Sequence, residues 1–247
     1  MLRDGGAISV FAPRHRVDRD RRATSQHYYY RQCIGMSSEH HPFTHPSAPN
    51  NSGLRLYGRR VMLRPLVSPD FASWSDVRIR NESSLTPWEP SRLANQGDPT
   101  RERDAFSTRC AARDRDRQMG AAYAFGLFVD SSVAGEVNLN TVVRGAQQCA
   151  TIGYWIDRSR AGHGYIAEGV CAVIRFAFDD LRLHRLEVCI IPRNTNSRRV
   201  MDKLQLRDEG VASRFLEING VWEDHMRYAI TVEEWQARRD EMIATWL

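Results

Sequence analysis

The alternation of apolar and polar positions becomes regular at Leu54. RLYGRRVMLRPL, residues 55–66, reads as a hairpin or paired strand segments closed by Pro65. Ser68 or Pro69 then starts a short helix to about Arg80. Asp98-Pro99 caps a second helix to about Arg117, whose many charges mark a solvated face. Three strands follow: AAYAFGLFVD, VAGEVNLNTVV and CATIGYWID. The turn signals between them, Asp130-Ser131-Ser132 and Arg144-Gly145, predict an antiparallel meander.

The period then changes from two to that of a helix. Gly164 opens a segment that places Ile166, Val170, Val173, Ile174, Ala177, Phe178 and Leu181 on one face, a core-facing stripe. HRLEVCIIP, His184 to Pro192, is a strand, and Thr195 to Leu204 a helix packing through Val200, Met201 and Leu204. Two last strands surround the Asn219-Gly220 turn. No internal repeat is present. This order predicts a mixed α/β or α+β fold: one central sheet with helices packed on it.

Residues 1–52 lack that periodicity. They hold seven Arg, four acidic residues and five of the eight His, in runs such as HHPFTHPSAPNNSG. Such a segment buries too little apolar area to offset the entropy of ordering, so it is expected to be a disordered basic tail, with Met36 a second candidate start. His40, His41 and His45 fit a flexible tail better than a metal site. The tail carries +3 of the net charge of +5, so the body is nearly neutral and no direct nucleic-acid binding is expected.

Five scattered cysteines without a CxxC pair indicate reduced thiols, with neither a disulfide framework nor a zinc site. No apolar run approaches the roughly 20 residues of a membrane span, and no signal-like apolar core opens the chain. A cytoplasmic protein with no membrane partner is the expectation. Lys203 is the only lysine, which excludes a GK[ST] phosphate loop and a kinase strand lysine.

The densest chemical signal is Gly153 to Glu168, GYWIDRSRAGHGYIAE. A strand ends at Ile156, a basic turn follows, and Gly162 and Gly164 open a helix. Unpaired N–H groups and the positive end of the macrodipole attract phosphate there. PRNTNSRRVMDKL places Asn194 and Ser197 just after a strand, Asn194 or Asn196 as a helix cap and Ser197 in the first turn. LTPWEPS, with Trp88 and Glu89, is a rigid aromatic-acidic loop. Glu136, Asn138 and Asn140 share one strand face.

Taken in order, VMLRPL, PWEPS, VVRG, GYWID…AGHG, HRLEV, PRNTNS and INGVWEDH resemble the GNAT N-acetyltransferase superfamily. They are most similar to its ribosomal-protein-alanine N-acetyltransferase (RimJ/RimL-type) branch, over about residues 54–235. The resemblance implies a central mixed, mostly antiparallel sheet flanked by helices on both faces. It also implies an acetyl-CoA-dependent domain at 53–247 with no metal.

By resemblance, backbone groups of Tyr154, Trp155 and Ile156 contact the pantetheine arm and thioester. The turn Arg158, Ser159, Arg160, Ala161, Gly162, His163, Gly164 and Tyr165 holds the pyrophosphate by N–H groups, with Arg158 or Arg160 adding charge. Asn194 bonds the pantetheine or neighbouring backbone, and Ser197 either protonates the departing thiolate or merely caps its helix. Trp88, Glu89 and Asn138 fall on the acceptor side. The base is open between Glu136 and Glu217, or is no side chain at all, and Glu89 could bind the incoming α-ammonium. His163 reads as an exposed spacer, and His225 and Asp224 as the solvent face of the last hairpin.

An α-amino group of pKa about 7.7–8.0 loses its proton at pH 7 for only about 1 kcal/mol, so positioning can supply much of the catalysis. Two residues depart from the family pattern: Ser159, where Gln or Arg is common, and Gln205, where glycine usually ends the last helix. Acetyl transfer to a protein N-terminus, ribosomal in the leading reading, is thus expected. A small-molecule amine acetyltransferase and a non-catalytic acyl-CoA-binding or nucleic-acid-associated module are the alternatives.

Overall fold

Pro65 and Pro69 stop the first strand pair and start the first helix, so the chain leaves the sheet early and returns for three strands in succession. A computed structural model describes residues 53–92 and 97–247. The tail expected at 1–52, with Met36 and its three histidines, lies outside the described residues. Strands β1 (Leu56–Tyr57) and β2 (Val61–Arg64) form the expected hairpin. A 3-10 turn at Ser68–Asp70 leads into helix α1 (Phe71–Arg80), followed by the one-turn α2 (Glu82–Leu85) and by α3 (Arg103–Gln118). Strands β3 (Tyr123–Val129), β4 (Ser132–Val143) and β5 (Cys149–Ile156) are the antiparallel meander.

Helix α4 (Tyr165–Arg175) runs on through a π turn at Phe176–Asp180 to β6 (Arg185–Ile190). After it come α5 (Thr195–Leu204), the hairpin of β7 (Arg207–Ile218) and β8 (Val221–Thr231), and α6 (Val232–Trp246). The sheet order is β1-β2-β3-β4-β5-β6-β8-β7. Among the described residues the pairing is antiparallel throughout except between β5 and β6. The parallel step follows from the connection: a helix, not a tight turn, joins those two strands.

Two cores cover the two faces of the sheet. The larger sets Val170, Val173 and Ile174 of α4 on Leu63, Leu127, Val137, Leu139 and Ile152. The smaller packs Trp74 and Phe106 on Leu66, Phe128 and Val133. Helices therefore lie on both faces, as the resemblance implies.

Three details differ from the sequence reading. Helix α3 begins at Arg103 with Glu102 in the capping position, because the N–H groups of Arg101 and Glu102 bond the Asp98 carbonyl in a separate turn. Helices α2 and α6 were not anticipated. For α6 the signal was present as a T-x-x-E capping box: Thr231 N–H donates to Glu234 Oε2 at 2.8 Å, and the Glu234 N–H returns to Thr231 Oγ1. Gln205 does take the left-handed conformation (φ +50°, ψ +44°) that glycine would adopt more cheaply. Arg238 offsets part of that cost by donating to the Leu204 and Gln205 carbonyls.

Candidate functional site

Strands β5 and β6 pair over only three residues, Cys149–Arg185, Ala150–Leu186 and Thr151–Glu187. Beyond them β5 stays with β4 to Ile156 while β6 stays with β8 to Ile190, so the sheet splits. A cleft of about 1130 Å³ occupies the split. The direction of the free backbone groups follows from strand alternation. Asp157 N–H donates across to Ala134 on the β4 side (2.7 Å), whereas the Gln148 carbonyl accepts from His184 on the β6 side (2.7 Å). N–H and C=O groups alternate sides with period two, so those of Ile152, Tyr154 and Ile156 point into the cleft. A buried strand edge without a partner needs one, and an extended amide-bearing ligand supplies it.

The turn beyond β5 is fixed by a residue the sequence reading passed over. Asp157 is buried and accepts from Ser159 N–H (3.2 Å), Ser159 Oγ (2.8 Å), Asn81 Nδ2 (2.9 Å) and Arg80. Burial alone would raise its pKa, but the Arg80, Asn81 and Ser159 bonds win and hold the carboxyl well below the usual range. Asn81 in turn accepts from Arg158 N–H at 2.9 Å, tying the end of α1 to the turn.

Gly162 (φ +84°) and Gly164 (φ +86°) bring the chain round through left-handed backbone, and Gly164 stands at the N-cap of α4. Glu168, buried in the first turn of α4, accepts from Val61 N–H (2.9 Å) and from Arg60 Nε and Nη2 (3.0 and 2.9 Å), locking the helix to the β1–β2 turn. The N-terminus of α4 therefore faces the cleft as a fixed array of N–H donors.

Of the residues assigned to the cofactor, Tyr154, Trp155, Ile156, Arg158, Arg160, Ala161, Gly162, Gly164, Tyr165 and Asn194 line the cleft. Ser159 and His163 do not line it, and the Ser159 N–H, spent on Asp157, is not open to a phosphate, which corrects the Ser159 assignment alone. Both polar groups of Ser159 are taken by Asp157, and His163 is exposed with Nδ1 against the Ala161 carbonyl at 3.0 Å. Two cations missed by the sequence reading, Arg199 and Lys203, line the same cleft from α5. Their i, i+4 spacing was the available signal.

Asn194 caps α5 through its Oδ1, which accepts from Ser197 N–H at 3.2 Å, so Ser197 is not itself the cap. Tyr154 Oη donates to the Ser197 carbonyl at 3.1 Å. The Ser197 hydroxyl has no hydrogen-bond partner among the described residues, and Ser197 lines the cleft.

The register separates two sides. Glu136 lies opposite Trp155, Asn138 opposite Gly153, and Thr151 beside Glu187. Cys189 lies opposite Arg227, with His225 two residues further along β8. Period-two alternation puts these side chains on the α1–α3 face and Tyr154 on the α4–α5 face. The cleft joins the two faces, and Trp88, Glu89, Asn138 and His225 line it from the first.

Glu136 cannot be the base. It is fully buried and accepts from Trp74 Nε1 (2.6 Å), Arg109 Nη2 (2.8 Å) and Arg113 Nη1 (2.8 Å). Burial would raise its pKa, yet the two guanidinium charges and the indole bond hold it at about 2. A carboxylate so clamped has no affinity for a proton at neutral pH, and it does not line the cleft. The sequence placed it on the right face but could not show the arginines of α3 closing over it.

Glu217 is exposed on β7, opposite Trp222 and away from the cleft. Glu89 lines the cleft but is held by a two-point pair with Arg78, 2.7 Å on each oxygen. His225, expected on a solvent face, is 2 % exposed and part of the cleft wall. The β7–β8 turn meets the loop of Trp88 and Glu89, where Asn219 N–H donates to the Glu89 carbonyl at 3.0 Å.

A mixed sheet split at a parallel pair, with a glycine turn and a helix N-terminus at one mouth, is the arrangement of an acyl-transferring enzyme. The acetyltransferase (GNAT) domain model matches residues 60–207, and the chain belongs to the GNAT acetyltransferase family, in its RimJ-type branch. Probable N-acetyltransferase YjcK of Bacillus subtilis is 33% identical over 177 residues, covering 71% of this chain and 96% of that one. The [ribosomal protein uS5]-alanine N-acetyltransferase of Escherichia coli is 29% identical, covering 75% and 95%. The structure of Mycobacterium smegmatis RimJ in complex with CoA-disulfide superposes with a TM-score of 0.71 at 30% identity, covering 77% of this chain and 93% of that one. The protein is an N-acetyltransferase of GNAT type.

Proposed function

We propose that this enzyme moves the acetyl group of acetyl-CoA to the α-amino group of a protein N-terminus, a ribosomal protein being the leading acceptor. The observation that carries the donor half is the unpaired edge of β5 inside the cleft, which suits the two amides of a pantetheine arm. Pyrophosphate fits the N–H groups from Gly162 to Tyr165, and Arg158, Arg160, Arg199 and Lys203 supply four positive charges along the wall for its phosphates. Asn194 lies beside the same arm. The acceptor half is supported by Trp88, Glu89 and Asn138 on the opposite face, and by the name of the Escherichia coli relative.

The chemistry is direct. The amine nitrogen attacks the thioester carbonyl, whose developing oxyanion is met by a β5 N–H, and the C–S bond breaks. The thiolate, of pKa about 8.5, needs little acid help, and the Ser197 hydroxyl in the cleft wall is the assistant. Incubation with acetyl-CoA and peptides beginning Ala, Ser or Thr, read by thiol release and peptide mass, tests the proposal. Peptide acetylation is expected. Turnover of polyamines, amino acids or aminocyclitols with none of the peptides would reject the acceptor class.

A further inference from the structure

We propose that His225 is the base that accepts the proton of the incoming amine. The inference rests on the acetyl-transfer reading above and adds a residue to it. His225 stands on β8 on the acceptor face and, although almost wholly buried, is among the residues lining the cleft. Its Nδ1 lies 2.9 Å from the Glu223 carbonyl. A carbonyl only accepts, so Nδ1 carries the proton of the neutral ring, and the lone pair is on Nε2. Nε2 has no hydrogen-bond partner among the described residues, and the edge contact of Phe215, 6.0 Å between ring centres, fixes the ring plane.

Among the described residues the other titratable candidates at this site are already engaged. Glu136 is clamped outside the cleft by Arg109 and Arg113, and Glu89 is paired with Arg78. The charged groups near His225 are each engaged. On its own strand Glu223 pairs with Arg193 at 2.7 Å and Arg227 with Glu187 at 2.9 Å, while Asp224 accepts from Arg214 N–H at 2.7 Å. The thiol of Cys189 on neighbouring β6 is pushed up by burial and stays protonated.

The step balances as follows. A substrate ammonium carries three protons. One passes to His225 Nε2, freeing the nitrogen lone pair, and later leaves to solvent. The nitrogen bonds to the thioester carbon, the C–S bond breaks, and a second proton ends on the CoA sulfur. The third remains on the product amide.

The test is the pH dependence of His225→Asn and His225→Gln, compared with the unaltered protein on one peptide. Each variant should lose about tenfold of kcat/KM at pH 7, because it must wait for the minority of amines already neutral, with peptide binding changed far less. The deficit should shrink towards pH 9, where the amine is already neutral; a structural role would lower the rate equally at every pH. Rates within threefold of the unaltered protein at pH 7, or a loss independent of pH, would overturn the assignment while leaving peptide acetylation standing. Absence of transfer by the unaltered protein would overturn both. Ring ¹⁵N shifts give a reading that needs no turnover: the proton is expected on Nδ1, and a proton fixed on Nε2 refutes the proposal.

Discussion

Replacing Glu136 by glutamine separates a structural carboxylate from a catalytic one. Its two oxygens receive bonds only from donors: Trp74 Nε1, Arg109, Arg113 and, at 3.3 Å, Asn138 Nδ2. Glutamine keeps the volume, removes the charge, and turns an NH₂ group towards guanidinium and amide donors. Two arginines are then left without a counter-charge beside a buried site. Removing one partner of a buried ion cluster costs about 3–5 kcal/mol.

The pKa gives an independent figure. A carboxyl held at about 2, against 4.5 for the free side chain, is worth about 3 kcal/mol of folding stability. Because the folded pKa is depressed, that contribution is complete above about pH 4.5 and is lost as pH falls towards 2.

Urea unfolding at pH 7 should therefore show Glu136→Gln destabilised by about 3–5 kcal/mol, a drop in Tm of roughly 6–20 °C for a domain of this size. The gap between the two proteins should narrow as pH falls from 4.5 towards 2. Activity per folded molecule, measured at a temperature where the variant remains folded, should fall less than tenfold. A variant within 1 kcal/mol of the parent that loses 100-fold or more in kcat would refute the reasoning and return Glu136 to the chemistry.

Other outcomes follow from the same structure. Asn81→Ala removes the acceptor of Arg158 N–H and a donor to Asp157, so the phosphate turn loosens. Its KM for acetyl-CoA should rise several-fold while that for peptide changes little, as steady-state kinetics with each substrate varied will show. Gly164→Val forces a β-branched residue to φ +86° at the mouth of the cleft; Tm should fall, and CoA binding by calorimetry should weaken tenfold or more. Gln205→Gly relieves a left-handed residue while keeping the Arg238 bonds, which use main-chain oxygens. The gain of up to about 1 kcal/mol, less the extra freedom of glycine in the unfolded chain, should raise Tm by about 1–3 °C with unchanged activity.

The sequence alone determined the features that are local. The meander, the crossover helix with its apolar stripe, an α5 cap at Asn194 or Asn196 and the Asn219-Gly220 turn are written in periods, caps and turn residues a few positions apart. The glycine turn was legible for the same reason: φ above zero at Gly162 and Gly164 is a property of those residues. Helix α6 is signalled locally too, through its T-x-x-E capping box.

Only the tertiary structure decided what each polar residue faces. Glu136 and Asn138 share a strand face, yet two arginines some 25 positions earlier neutralise the first and leave the second lining the cleft. Asp157 and Asn81, 76 residues apart, shape the turn together. His225 belongs to the cleft because the last hairpin closes on the loop of Trp88. Each of these contacts joins distant segments, and spacing along one chain carries no record of them. The split between β5 and β6 is decided in the same way, by the strands each prefers on its far side.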